Sequence, residues 1–333
     1  MDQAVQVWRE KRVGRMRLNR PKALNALDLE MIGLMHTALN EFRDDAGIHA
    51  VLVDATGERG FCAGGDIRAI RQAGAAQDAA GIAAFFGGEY ALNAAIAAYP
   101  KPYVALINGV CMGGGIGISA HGSHRIASEF AMFAMPETAI GLFPDVGTTF
   151  VLPRLPGALG MYLGLTGARL TGADAVHAGF ATHFVPRAAL AALAASIATD
   201  GVAVIAEFAA SLPPFSLAPH RAVIDRAFSL GTVAEVFAAL EQEDGEFAQH
   251  TLAALRAASP LALHWSFEII HKGASRSLAQ CLEAELALVK QVAMHPEFHE
   301  GVRAAVIDKD RKPNWQPARI EDINPAVIAA LFA

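Results

Sequence analysis

The sequence predicts an α/β protein with a mainly helical C-terminal half, and three observations carry that prediction. Compact apolar runs such as "AVLVDAT" (50–56) and "YVALING" (103–109) alternate with helical patterns over the first 185 residues, as buried strands between crossover helices would. Two glycine-rich turns, "CAGGD" (62–66) and "GGGIG" (113–117), each follow a predicted strand and precede a predicted helix. Beyond residue 185 strand-like alternation fades and apolar residues recur at helical spacing. The expected division is therefore a core over 1–185 and a helical region over 186–333.

Taken in order, residues 3–18 read as a hairpin, "QAVQVWRE" and "RVGRMRLN" around a charged turn. "RPKALNAL" breaks that pattern, and residues 27–43 carry apolar residues at helical spacing. "GERGFCAGGD" reads as a turn, followed by a short helix from Asp66. Residues 80–98 form an alanine-rich helix, "GGGIGISA" opens another, and "HRIAS" and "AMFAM" are short strands. Helices then follow at "RAALAALAASIAT", "VAEVFAALEQ", "HTLAALRAA", "LAQCLEAELALVKQVAM" and "PAVIAALF", punctuated by Pro213, Pro214, Pro219 and Pro260.

Composition narrows the function. The 333 residues are 53% hydrophobic and 18% charged, which excludes a disordered chain, and a net charge of −6 argues against a nucleic-acid binder. Residues 102–124 contain no formal charge and imitate a membrane span, but six glycines inside them favour a strand, loop and helix. Cys62, Cys111 and Cys281 cannot all pair and lack metal-type spacing, so a reducing compartment is expected. With no apolar signal core at the N-terminus, the expectation is a cytoplasmic protein outside the membrane and without a resident metal.

The chemistry concentrates in two places. Neither glycine turn matches "GxGxxG" or "GxxxxGK[ST]", so nucleotide-binding folds gain no support. Two such turns can aim two backbone N–H groups at one point and form an oxyanion hole; each turn alone is equally an ordinary strand-to-helix connection. "MPETAIGLFPDVG" (135–147) carries Glu137 and Asp145, and no Lys or Arg lies between Arg125 and Arg154. Gly141 and Pro144 argue against one continuous helix through both acids. A carboxyl with little solvent has a raised pKa and serves as a general acid or base; the alternative is a helix cap for Glu137 and a turn residue for Asp145. Cys62 has no histidine nearby in sequence and reads as packing. His121 and His124 share a candidate helix face, for packing or surface roles, and "IDKDRKP" (307–313) reads as a solvated turn or a border of the ligand entrance.

"LNRPKALNALDLEMI", "GFCAGGDI", "INGVCMGGGIGIS", "MPETAIGLFPDVG" and "LPRLPG" together resemble the crotonase (enoyl-CoA hydratase/isomerase) superfamily over about residues 5–325. "FFGGEY" (85–90) and "FHEGVRAAVIDKDRKPNW" (298–315) resemble its branch of short 3-hydroxyacyl-CoA thioester hydrolases. The resemblance implies a crotonase-like spiral of repeated strand–strand–helix (ββα) turns with a helical C-terminal region. It implies an acyl-CoA substrate, no separate cofactor because coenzyme A is part of that substrate, and trimers or pairs of trimers. It places the oxyanion donors at the amides of Gly65 and Gly114, and the coenzyme A near Ala63, Asp66 and Ile67. Lys22 meets a phosphate or remains a solvated lysine. The second hydratase glutamate is replaced by Gly117, which cannot transfer a proton, while Asp145 stands where hydratases commonly carry glycine. The implied roles are attack or water activation by Glu137, substrate-hydroxyl binding or thiolate protonation by Asp145, and acyl-hydroxyl binding by Glu89, whose alternative is an exposed helix residue. One-glutamate hydration, isomerisation and a silent acyl-CoA-binding protein are the competing readings.

Overall fold

A computed structural model describes residues 3–332. The expected hairpin is present as β1 (Val5–Glu10) and β2 (Val13–Leu18), antiparallel with Trp8 opposite Arg15. Among the described residues eight more strands follow it: β3 (Ala50–Ala55), β4 (Gly60–Cys62), β5 (Tyr103–Ile107), β6 (Val110–Met112), β7 (His124–Ala127), β8 (Met132–Ala134), β9 (Leu170–Thr171) and β10 (His183–Phe184). They build two sheets, β1-β2-β3-β5-β7-β10 and β4-β6-β8-β9. The pairs β3/β4, β5/β6 and β7/β8 each give one strand to each sheet. That is the expected ββα spiral, in which every repeat steps both sheets forward by one strand.

Several short elements differ from the sequence reading. "GERGFCAGGD" is more than a turn, because Gly60–Cys62 pairs with β6. The segments of β6, β9 and β10 have only two or three residues each, too few to show alternation. The Pro260–Gly273 helix lacks a clear stripe because most of it is buried, including Leu261, Leu263, Trp265, Phe267, Ile269 and Ile270. His121 and His124 do not share a helix: Gly114–Ala120 ends before them, His121 is its C-cap, and His124 lies in β7.

The chain divides into two compact units. The first comprises the chain up to Gly65 with Gly88–Phe133 and Arg169–Ser216; the second comprises Asp66–Gly87, Ala134–Ala168 and the chain from Leu217. In the first unit, Val13, Leu52, Val104, Leu106 and Ile126 of the larger sheet pack on Leu193 and Ile197 of the Arg187–Asp200 helix. The Leu29–Asp44 helix is capped by Asp28, whose carboxylate accepts from Met31 N at 2.9 Å, and buries Met31, Met35, Leu39 and Phe42 at one-turn intervals. In the second unit "IDKDRKP" is exposed and organised around Arg303, which donates to Asp308 at 2.6 Å and Asp310 at 2.7 Å. No helix among the described residues is long and apolar enough to cross a membrane. The uncharged 102–124 stretch is β5, β6 and a seven-residue helix.

Asp174 closes the first unit's last segment. It accepts from Thr171 in a capping box and from Ser216 N and Oγ, each at 2.9 Å. Burial pushes this carboxyl up, but the hydrogen bonds from Ser216 and Thr171 outweigh it and hold the pKa below its ordinary value. The stability it contributes is therefore complete above the ordinary carboxylate pKa and is lost as pH falls through the depressed folded value. Asp174→Ala is expected to cost about 1–3 kcal/mol in urea unfolding at pH 7. The gap from the parent should close as the parent is protonated below about pH 4.

Candidate active site

The first unit brings the glycine loops together. Leu27 N donates to Gly64 O at 2.8 Å and Ala63 N to Leu24 O at 3.0 Å, so the "RPKAL" loop lies along the first glycine turn. Gly64 has φ of +104°, a conformation open mainly to glycine, and turns the chain so that Gly65 follows. The second turn lies against it. A Cβ at Gly114 would stand 3.4 Å from the Gly64 carbonyl carbon and 3.1 Å from Leu27, and would collide with a carboxylate oxygen of Glu89. Only a residue without a side chain leaves room for that carboxylate. Glu89 itself is 2% exposed, so the reading of it as an exposed helix residue does not hold.

Gly114 is the first residue of the Gly114–Ala120 helix, so its N–H has no partner one turn back. Among the described residues, neither the Gly65 nor the Gly114 amide donates to another backbone group. Lys22 is exposed in the Pro21–Ala23 turn, and Ala63 is half-buried. Cys62 is fully buried and its thiol is pushed up to about 12, first by burial, so it packs as a neutral side chain.

The second unit carries the acids. Glu137 opens a short turn, Glu137–Ile140, and is 6% exposed; Asp145 follows outside any helix and is 4% exposed. Gly141, at φ +69°, ends the Glu137 turn as its left-handed C-cap, which is why one helix does not run through both acids. The Glu137 turn is fastened on both sides: Thr138 Oγ1 donates to Leu165 O at 3.0 Å, and Ser259 N donates to Thr138 O at 3.0 Å. Asp66 caps the Ile67–Ala75 helix through Ala69 N at 3.4 Å, and Ile67 is half-buried at its start.

Two buried acids of this unit escaped the sequence reading. Glu297 accepts from Ser259 Oγ, and from Gln316 N at 2.7 Å. Glu285 is fully buried beneath the Asp145 turn. A signal for Glu285 does exist, because Cys281, Leu282, Glu285, Leu288, Val289 and Val292 form one buried helical stripe with a carboxylate inside it.

With this geometry in place, the comparisons are decisive for family. The family model "Enoyl-CoA hydratase/isomerase" matches residues 13–332. The chain is 44% identical to a Xenopus tropicalis protein named "3-hydroxyisobutyryl-CoA hydrolase, mitochondrial", over 96% of this chain and 86% of that protein. It is 42% identical to a crystal structure titled as an enoyl-CoA hydratase from Rhodobacter sphaeroides (TM-score 0.94, covering 99% of this chain and 97% of that one). It is 39% identical to one titled as a carnitinyl-CoA dehydratase from Mycobacterium thermoresistibile (TM-score 0.96, covering 100% and 97%). Two paired sheets built from ββα repeats, with glycine amides at a helix start, define a crotonase-fold protein. The chain belongs to the enoyl-CoA hydratase/isomerase family.

The expectation of a cytoplasmic protein is overturned by the hydrolases it resembles, which are named as mitochondrial proteins. That expectation leaned on three unpaired cysteines, all of them free and buried. Free thiols report a reducing surrounding, which more than one compartment provides.

The packing of Glu89 over Gly114 is testable. Gly114→Ala must displace the Glu89 carboxylate or shift the backbone at 114, whose amide is the expected oxyanion donor. Thiol release from acyl-CoA is expected to fall by about 10²- to 10³-fold, the range for loss of one oxyanion donor, while the fold is kept by circular dichroism. Full activity in this variant would show that the approach of Glu89 to Gly114 has no catalytic consequence.

Proposed function

We propose that the chain hydrolyses a short 3-hydroxyacyl-CoA thioester, with 3-hydroxyisobutyryl-CoA, an intermediate of valine breakdown, as the substrate. The observation that carries this reading is an exchange of acids. Gly117 stands in the helix just after the triple glycine, at the position matching the second hydratase glutamate, and Asp145 is buried eight residues beyond Glu137. Two-glutamate water addition to an enoyl thioester divides water activation and carbon protonation between two acids. Gly117 cannot be the second. The name carried by the Xenopus tropicalis relative supports the same reading.

In this proposal the amides of Gly65 and Gly114 hold the thioester oxygen as it becomes an oxyanion. Glu137 attacks the carbonyl carbon or takes a proton from the water that does. Collapse of the tetrahedral species breaks the C–S bond and releases coenzyme A thiolate, which takes up a proton as the carboxylic acid product forms. Where Glu137 is the nucleophile, the acyl–Glu137 anhydride is then opened by water. Asp145 and Glu89 bind the acyl hydroxyl, with Asp145 also able to protonate the leaving thiolate. Ala63, Asp66 and Ile67 contact the coenzyme A moiety, with Lys22 at a phosphate, and no separate cofactor enters the reaction.

A second reading, one-glutamate hydration or isomerisation with Glu137 moving the proton, draws support from the hydratase and dehydratase titles of the solved relatives. A thiol-release assay over a panel of acyl-CoAs, run beside crotonyl-CoA hydration, separates the two. Release of coenzyme A from 3-hydroxyisobutyryl-CoA without hydration supports hydrolysis; an absorbance change without thiol release supports the second reading. Glu137→Gln should lower thiol release by at least about 10²-fold and leave acyl-CoA binding intact in calorimetry, and full activity would remove Glu137 from the mechanism. Asp145→Gly should lose about 10- to 10³-fold in kcat/KM for the hydroxylated thioester without gaining crotonyl-CoA hydration. A gain of hydration would contradict the role given to Gly117.

A further inference from the structure

The turn that carries Asp145 is strained. Val146, a β-branched residue 1% exposed, has φ of +53°, and Gly147 follows at +77°. A β-branched residue in that region costs about 1–3 kcal/mol and persists only where its surroundings hold it. One side chain ties this turn to a distant element. Glu285, from the Leu278–Val292 helix, accepts from Gly147 N at 2.7 Å, from Thr149 N at 3.2 Å and from the Thr149 hydroxyl. Thr148 N and Oγ1 also fasten the turn locally, donating to Asp145 O at 2.9 and 2.7 Å. A carboxylate 138 residues further along the chain thus caps the residues that follow Asp145.

A carboxyl is a costly choice for this anchor. An amide offers a single acceptor oxygen, so the carboxyl meets both the Gly147 and Thr149 amides at the cost of a charge to bury. Burial first of all, and then the charge of Asp145, push Glu285 up to about 8, against the hydrogen bonds from Thr149 and Gly147 that pull it down. The charged and titratable groups around it are few. Asp145 faces it from the turn, and Cys281 precedes it by one turn on its own helix, with Arg154 and Arg276 acting on that thiol. The Pro260–Gly273 helix packs Gly273 against Thr149 and contributes no titratable group acting on Glu285.

We propose that Glu285 is a positioning residue for Asp145: it fixes the strained 145–149 turn in one shape, and its own proton governs how much negative charge Asp145 has beside it. This deepens the hydrolase reading and rests on it, because Asp145 is assigned a task there. Near neutrality Glu285 carries its proton. As pH rises through Glu285's folded value a negative charge appears against the turn. Asp145 then works in a different field and the turn is loosened.

The test compares the parent with E285Q and T149V, by kcat and KM for 3-hydroxyisobutyryl-CoA thiol release and by urea unfolding, both from pH 5 to 9. Glutamine keeps an acceptor for Gly147 and can donate to Thr149 Oγ1 but gives up the bond from Thr149 N, so E285Q removes the titration and loosens the anchor. Valine at 149 removes a bond that lowers the Glu285 pKa. The parent's kcat should inflect near pH 8, E285Q should lack that inflection and lose about 10- to 100-fold in kcat with KM within about threefold, and T149V should move the inflection to higher pH. In unfolding, Glu285 binds a proton in the folded state that it has released in the unfolded one. Its contribution therefore falls as pH rises from about 5 to about 8; E285Q should lack that fall, and T149V should extend it upward.

An unmoved inflection in T149V, or matching pH profiles in parent and E285Q, overturns the proposal. If E285Q does not fold, T149V decides alone. If the parent releases no thiol from any acyl-CoA, the hydrolase reading fails, and the unfolding series still decides whether Glu285 titrates against the turn.

Discussion

Buried charge in this molecule is almost entirely negative, and that constraint shapes the rest. Among the described residues the buried charged side chains are Glu89, Glu137, Asp145, Asp174, Glu285 and Glu297, against a single base, Arg15. Arg15 is already engaged by Glu10 and Asp54, at 2.6 and 2.7 Å. A carboxyl out of water and away from a cation must either keep its proton or be met by N–H and O–H donors. Asp174 takes the second course and is held low by Ser216 and Thr171. Glu285 and Glu297 lie between: burial raises both, while amides and hydroxyls moderate the shift. Their donors are backbone amides and hydroxyls of turns and helix starts, so satisfying the acids and fixing those segments are the same set of bonds.

Much of this was legible in the sequence, for identifiable reasons. The long elements announced themselves because their periodicity extends over several turns, as in Met31, Met35, Leu39 and Phe42. The glycine loops were legible because close backbone approach leaves no choice of residue, and the acids at 137 and 145 because no base accompanies them in sequence. What was not legible depends on distant partners. β9 and β10 are two residues each and exist as strands only through pairing with β8 and β7. The importance of Glu285 arises from bonds to residues 136 and 138 positions away. The stripe containing it was visible, but a lone acid in an apolar stripe has no meaning until its partner is known. The His121–His124 pairing failed because the helix stops at Ala120, before either residue.

Fold similarity cannot choose the reaction within this family. TM-scores of 0.94 and 0.96 tie the chain to structures titled as a hydratase and a dehydratase, while similar sequence identity ties it to proteins named as a hydrolase. In the proposed reading these reactions share a pair of amides that would stabilise a thioester oxyanion or enolate. The fold therefore fixes which charge develops. The acids at a few positions fix what happens to it, which is why Gly117 and Asp145 weigh more than global superposition.

The leaving group explains why losing one acid is tolerable for the proposed hydrolysis and disabling for hydration. A thiol has an ordinary pKa near 8.5, so coenzyme A can depart as a thiolate close to neutral pH with little help from a proton donor. Carbon protonation in hydration has no such escape: the enolate must receive a proton at a defined position, from a group placed for it. An acid at 117 would serve two-glutamate hydration and is dispensable in hydrolysis. Freed from delivering a proton to carbon, the remaining acidic position can be spent on recognition. In the proposed hydrolysis that task falls to Asp145, which would grip a polar acyl substituent from a turn whose strain at Val146 leaves it little freedom to sample other shapes.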